Sequence, residues 1–103
     1  MSSDIEYLAH SVTNTGFILF HNKSNDKLFP VGNAIAGYLL IEQLDSKNSN
    51  IHYFQLFVTA LSLMLYLKLK DTDEVPSHIL NFYILGIMMS AYFTITKIKK
   101  NQD

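Results

Sequence analysis

The chain has 103 residues, 49% of them apolar and 17% charged, with a formal net charge of −1, and this length allows a single domain. The near-neutral charge and the absence of arginine, since all eight basic residues are lysines, argue against an electrostatic nucleic-acid binder. Without cysteine the chain has no disulfide, no thiolate metal site and no cysteine nucleophile.

The N-terminal segment is predicted to be a short amphipathic helix. Ser3 followed by Glu6 is a capping-box pattern, and a helix from there to about Val12 would place three aliphatic residues on one side. The helix would be too short and too polar to cross a bilayer, which favours a position at the membrane interface. The apolar run at 16–20 fits a strand, a helix end or a segment that dips into the membrane. Residues 1–27 are therefore predicted to be an N-terminal interfacial segment.

Beyond residue 27 the charges leave three long gaps. A surface helix of a soluble protein carries a charge every turn or two, and these gaps do not. About 20 residues of helix measure about 30 Å, the thickness of the hydrocarbon core of a bilayer. The sequence therefore predicts an all-α membrane domain at 28–103. Charge-free stretches at 28–41, 48–67 and 75–96 give expected spans at about 28–44, 50–68 and 76–96.

The sequence leaves the number of transmembrane helices open between two and three, because the first stretch is shorter than the others. With three spans, four lysines lie on each side of the membrane, so the positive-inside rule gives no orientation. With two spans, six lysines face two and both termini would be cytoplasmic. A buried helical hairpin of a soluble protein is a further alternative, since each stretch contains polar residues and the mean hydropathy is only +0.13.

Small and uncharged polar residues form stripes at helical spacing within these stretches. In the second stretch the polar residues recur every three or four positions along one narrow face, which is typical of a membrane helix that contacts other helices. Small residues in the first and third stretches allow helix backbones to approach closely. The residues predicted to form helix-packing or partner interfaces are Gly32, Asn33, Ala36, Gly37, Gln55, Thr59, Ser62, Tyr83, Gly86, Ser90 and Thr94.

No pattern of residues identifies a reaction. The four histidines have no metal-ligand spacing, and the two long stretches contain no Asp, Glu or Lys, which counts against a pump or carrier. The glycine-containing run at 32–37 lacks the lysine and the spacing of a phosphate-binding loop. We therefore expect no enzyme, no catalytic or metal-binding residue and no cofactor.

One part of the chain resembles a known family. Asn14 opens an apolar segment, Lys23 and Lys27 follow as a basic patch, and residues 36–40 form a small-residue start to an apolar span. This order resembles the family of subunit 6 of the endoplasmic reticulum membrane protein complex. The chain departs from that family in having no Trp in its last span and in carrying Leu19 where an acidic residue is frequent.

The resemblance implies a three-helix partner of an Oxa1-type insertase, which would wall a hydrophilic groove through which client transmembrane segments enter the bilayer. Asn14 would then join the interface, and the stripe of Gln55, Thr59 and Ser62 would face the partner or the groove. It also implies other integral membrane subunits and the lipid bilayer as partners, and a location in the endoplasmic reticulum membrane. The alternatives are a structural accessory subunit of an organellar or energy-transducing membrane complex, and a stand-alone two-span hairpin of holin, toxin or immunity type.

Overall fold

A computed structural model describes residues 2–23, 26–42 and 51–102 of the chain. Within these ranges the backbone forms α-helices and one short 3-10 helix, without any strand, so the all-α prediction is confirmed. The four α-helices are α1 (Ser2–Phe20), α2 (Phe29–Glu42), α3 (Ile51–Leu69) and α4 (Ser77–Gln102), and the 3-10 helix (His21–Lys23) follows α1 directly.

The starts of α2 and α4 follow from local sequence signals. Before α2, a carboxylate oxygen of Asp26 accepts the backbone N–H of Leu28 at 2.9 Å, and this hydrogen bond lowers the pKa of Asp26 below its usual value. Pro30 occupies the first turn of α2, where a backbone N–H has no helical partner. Pro76 directly precedes α4, and its carbonyl accepts two N–H groups of the first turn at 3.1 Å.

The first helix is longer than the sequence predicts. It was expected to end near Val12, but it continues to Phe20, and the apolar run at 16–20 is helical rather than a strand. The reason is tertiary packing, because Phe17 is fully buried and meets the ring of Phe29 edge to face with centroids 5.3 Å apart. Asn14 is also fully buried. Contacts with other helices therefore extend α1 beyond the length that its local sequence predicts.

The four helices run alternately in opposite directions. α1 lies antiparallel to α4, because Glu6 pairs with Lys97 near one end and Gly16 faces Tyr83 further along. α2 lies antiparallel to α3, because Tyr38 contacts Phe54 and Gly32 contacts Leu61. α3 lies antiparallel to α4, with Thr59 beside Ser90. The start of α1 and the end of α4 thus lie together at what we call the terminal end, and Asp26 lies at the opposite, or loop, end.

Two of the helices are long and apolar enough to cross a membrane by length and composition, namely Ile51–Leu69 and Ser77–Lys100. The expected first span, at about 28–44, extends beyond the described residues, which end at Glu42 here. Its apolar part, Phe29–Ile41, measures about 20 Å as a helix, against about 30 Å for the hydrocarbon core. The predicted polar turn at 45–50 lies outside the described residues. The expected last span ends earlier than the helix, since α4 continues through the basic tail to Gln102.

An apolar layer fills the side of the bundle that α2 covers. A β-carbon at Gly32 would lie 2.5 Å from a Leu61 methyl group and 3.0 Å from the Phe17 ring, so a side chain there would require these two to shift. Gly37, predicted to pack closely as well, faces open space. Val58, Leu61 and Leu65 of α3 lie outside the polar stripe and are buried in this layer, beneath α2. The apolar layer comprises Phe17, Phe29, Ala36, Leu39, Ile51, Val58, Leu61, Leu65, Leu69, Val75 and Leu80.

Candidate functional site: a buried polar seam

A line of polar side chains, which we call the polar seam, runs between α1, α3 and α4. It begins with two charged residues at the terminal end and continues into the middle of the bundle, where its members are fully or almost fully buried. Hydrogen bonds or an ion pair join successive members, except that Glu6 and His10 meet in a contact of 3.7 Å. In order, the seam comprises Lys97, Glu6, His10, Ser90, Thr59, Gln55 and Asn14.

The inner end of the seam is an amide pair. Asn14 Nδ2 donates to Gln55 Oε1 at 3.0 Å, and Gln55 Nε2 donates to Asn14 Oδ1 at 2.8 Å. The second hydrogen of Gln55 Nε2 is directed to the hydroxyl of Thr59 at 3.2 Å. Both side-chain amides are buried, and leaving either without a partner would cost about 1–3 kcal/mol. The pair therefore fixes the relative position of α1 and α3.

Counting donors and acceptors sets the direction of the next hydrogen bonds. Thr59 donates its only hydroxyl hydrogen to the carbonyl of Gln55 at 2.7 Å, so its oxygen can only accept from other groups. Ser90 Oγ lies 3.2 Å from that oxygen, so if the two hydroxyl groups are hydrogen-bonded to each other, Ser90 is the donor. The Ser90 hydrogen is then committed to Thr59, and Ser90 can only accept from its remaining neighbour.

That neighbour is His10, whose Nδ1 lies 2.6 Å from Ser90 Oγ. Because Ser90 accepts, the proton of a neutral His10 is assigned to Nδ1. The other ring nitrogen, Nε2, then carries a lone pair, and it lies 3.7 Å from a carboxylate oxygen of Glu6. Two acceptors thus face each other, so this contact is not a hydrogen bond while His10 is neutral.

The outer end of the seam is charged. Lys97 Nζ lies 2.8 Å from the same Glu6 oxygen, which makes a short ion pair between the two helix termini. The Lys97 side chain is 47% exposed, whereas those of Glu6 and His10 are 15% and 12% exposed. Solvent therefore reaches the seam from the terminal end. His52 of α3 lies within electrostatic range of His10 at the same end.

The predicted interface residues fall into three groups. Four of them, Asn14, Gln55, Thr59 and Ser90, belong to the seam. Four others on α3 and α4 are buried, namely Ser62, Tyr83, Gly86 and Thr94, and the hydroxyl groups of Ser62 and Tyr83 face each other. The ring of Tyr83 packs against Gly16. Gly86 packs against Val12, and a β-carbon added at Gly86 would lie 2.6 Å from a Val12 methyl group. The other four lie on α2, with Gly32 and Ala36 buried and Asn33 and Gly37 partly exposed.

The stripe of Gln55, Thr59 and Ser62, which the resemblance assigns to a partner or a hydrophilic groove, is covered in this structure. Gln55 pairs with Asn14 of α1, and Thr59 contacts Ser90 of α4. Neither Ser62 nor the other two side chains is more than 4% exposed. The stripe therefore packs against helices of its own chain.

Sequence reasoning missed Glu6, His10 and Lys97. Residues 4–27 look like one charged cluster, although positions 7–22 contain no Asp, Glu or Lys. Glu6, His10 and Asn14 recur every four residues and therefore share one face of α1. This spacing was the available signal. It does not reveal that the face is buried, because that depends on α3 and α4.

Glu6, His10 and Ser90 together have the composition of a hydrolase triad. In such a triad the serine oxygen must reach a substrate carbonyl, and the base must accept the serine proton. Here Ser90 is fully buried and directs its hydrogen to Thr59, and the facing nitrogen of His10 already carries a proton. The arrangement as it stands offers a substrate no access to the serine oxygen. Among the described residues, no group of three or more His, Asp and Glu could hold a metal ion.

The outer surface contrasts with the seam. Each helix has an uncharged segment between the two ends of the bundle, at 7–22, 28–41, 51–67 and 77–96, and we call this zone the charge-free belt. Many large apolar side chains are exposed within it, such as Phe82 at 58% and Met88 at 64%. A groove of about 340 Å³ between α1 and α4 lies in the belt, lined mainly by apolar side chains that include Leu19 and Ile79.

Comparison of this chain with protein-family models, with curated proteins and with solved structures finds no match. The function is therefore inferred from the polar seam and the charge-free belt.

Proposed function

We propose that the chain is an integral membrane protein in which α3 and α4 cross the bilayer and α1 and α2 pack against them. The charge-free belt is the observation that carries this proposal. In a soluble protein, charged side chains cover the outer face of such helices and apolar ones fill the interior. Here the outer face is uncharged and mainly apolar over about 21–30 Å of helix, and hydrogen-bonded polar groups lie inside.

The burial within α3 and α4 supports the same location. In their most apolar windows, only 39% and 33% of residues are buried by the rest of the chain. The core helix of a soluble protein would be buried over most of its length. The outer surfaces of these helices therefore need an apolar environment, which lipid or a membrane partner provides.

Within that membrane location, the proposed role is that of a non-catalytic subunit of a multisubunit complex. Its specific form is the partner of an Oxa1-type insertase in the endoplasmic reticulum, and the resemblance of residues 14–41 supports this form. Because α1 covers the stripe of Gln55, Thr59 and Ser62, a partner of the closed bundle would contact the exposed belt instead.

Extraction of isolated membranes with alkaline carbonate tests the membrane location. We expect the chain to remain in the pellet, together with a known integral membrane protein. Release into the supernatant with peripheral proteins would contradict the proposal.

Purification in mild detergent, followed by mass spectrometry, tests the role. The insertase form predicts an Oxa1-type protein among the copurified subunits. Respiratory or photosynthetic subunits would instead support a structural accessory role, and recovery of homo-oligomers alone would contradict both forms. Gly86→Leu, which forces α1 away from α4, provides a variant for comparison, and Leu63→Ile on the exposed face of α3 is its matched control. Only the former should reduce copurification.

A further inference from the structure

We infer that Nε2 of His10, facing the carboxylate of Glu6, is a binding site for a proton taken up from solvent at the terminal end of the bundle. The inference depends on the seam's geometry and is independent of the proposed role in a complex. An ionisable group buried at membrane depth is expensive to maintain, and such groups commonly mark sites of function.

Nε2 of His10 faces the carboxylate of Glu6. The donor count assigns the single proton of neutral His10 to Nδ1, which leaves the Nε2 lone pair directed at a Glu6 oxygen 3.7 Å away. Two facing acceptors repel each other. A proton on Nε2 turns this contact into a charge-assisted hydrogen bond. The proton comes from water and no covalent bond of the protein breaks, so the site gains one positive charge.

Charged groups from three helices surround the site. Burial disfavours a positive charge on His10 and lowers its pKa to about 4, so uptake is expected only on strong acidification. On α1, Glu6 attracts that charge and partly offsets the effect of burial. On α4, Lys97 opposes it and competes for the same carboxylate oxygen at 2.8 Å, and on α3, His52 also opposes it when protonated. Residues 29–41 of α2 include no charged residue. Proton uptake therefore favours an exchange in which Glu6 turns from Lys97 to His10, and Lys97, already half exposed, moves into solvent.

Hydrogen bonds connect His10 to the inner part of the seam. The Nδ1–H bond to Ser90 is the same whether His10 is neutral or charged, so uptake at Nε2 leaves the Ser90–Thr59–Gln55 chain in place. Among the described residues, this series of hydrogen bonds ends at the amide pair of Gln55 and Asn14 and reaches no second ionisable group. The site consequently holds a proton and does not conduct it across the bundle.

Nitrogen NMR of the full chain, labelled at histidine and reconstituted in lipid nanodiscs, tests the inference. A His10→Gln variant assigns the His10 signals. At pH 7.5 we expect Nδ1 to be protonated and Nε2 bare, and on acidification we expect Nε2 to gain the proton. A proton on Nε2 in the neutral ring, or unfolding of the bundle before His10 titrates, would overturn the inference.

Substitutions of the neighbouring charges test the site more sharply. Glu6→Gln should lower the titration midpoint of His10 by about one pH unit, a tenfold loss of proton affinity, because the attracting charge is gone. Lys97→Met should raise the titration midpoint of His10, because it removes an opposing charge. This variant also tests the site if the Glu6 variant fails to fold. Asp4→Asn, an exposed acid on the same helix, is the matched control and should leave the midpoint within about 0.3 unit. Equal midpoints for the Glu6 and Asp4 variants would contradict the assignment.

Discussion

The apolar layer beneath α2 and the polar seam beneath α4 are built from different interactions, although both are buried. The apolar layer is held by close packing, as where Phe17 meets Phe29 edge to face. The seam is held by directional contacts in which nearly every donor has one acceptor, as between Asn14 and Gln55. α1, α3 and α4 contribute to both regions, since Leu80 of α4 belongs to the apolar layer, whereas α2 contributes to the layer alone.

At the proposed membrane location, the two regions differ in how strongly they set the arrangement of the helices. In lipid a separated helix keeps its apolar side chains in apolar surroundings, so burial of those side chains gives little preference for one arrangement. Packing still contributes through close contact. Hydrogen bonds between polar side chains are satisfied only at one register, so the seam specifies how α1 sits between α3 and α4.

The largest effect is expected in the apolar layer. Phe17→Ala removes a fully buried ring that touches Phe29 and lies over Gly32. The expected loss in the free energy of unfolding is about 3 kcal/mol, the low end for this substitution, because lipid surrounds the ring in the separated helix too. Denaturation in mixed detergent micelles measures it. A loss of about 5 kcal/mol or more would indicate that water surrounds the ring in the unfolded state.

The next effect is expected where α1 and α4 approach most closely. Gly86→Leu places a side chain where the β-carbon alone would lie 2.6 Å from Val12, and the expected cost is about 1–3 kcal/mol. Gly37→Leu is the matched control, since a β-carbon there meets nothing within 4 Å. The same denaturation assay compares them. Equal losses in the two variants would show that the close approach of α1 and α4 is not required.

A smaller effect is expected within the seam. Gln55→Leu leaves both amide positions of Asn14 without their partner, and should cost about 1–2 kcal/mol. The double variant Asn14→Leu with Gln55→Leu should lose less than the sum of the single variants, because no buried amide remains unpaired. A double-mutant cycle measures this coupling. Strictly additive losses would contradict the pairing and with it the specifying role of the seam.

The smallest effect is expected outside both regions, at the loop end. The Leu28 N–H and Lys68 lower the pKa of Asp26 from its ordinary 3.8, so the charged carboxylate favours the fold. This contribution is present above about pH 3.8 and is lost as the pH falls through the lowered value. Asp26→Asn should therefore reduce stability slightly at pH 7 and remove that part of the acid dependence. An unchanged acid profile would contradict the capping role of Asp26.

The sequence predicted much of this arrangement, because the helical period and the charge-free stretches are local signals. The stripe of Tyr83, Gly86 and Ser90 was recognisable from its spacing alone. The extension of α1 to Phe20 was not, since the ring of Phe17 is held by α2. The charged end of the seam was missed for the same reason, because Glu6 and Lys97 are 91 positions apart and meet only when α1 and α4 pack antiparallel. Long-range contacts of this kind leave no mark on local periodicity.

Spin labelling tests the central claim, that this bundle directs polar groups inward and an apolar belt outward into lipid. The chain contains no cysteine, so single cysteines can be placed at Met88 in the belt and at Asp73 in the exposed loop after α3. In lipid vesicles we predict that the label at position 88 is relaxed strongly by oxygen and weakly by a water-soluble nickel complex, with the reverse at position 73. Equal access of the nickel complex to both labels would contradict the account.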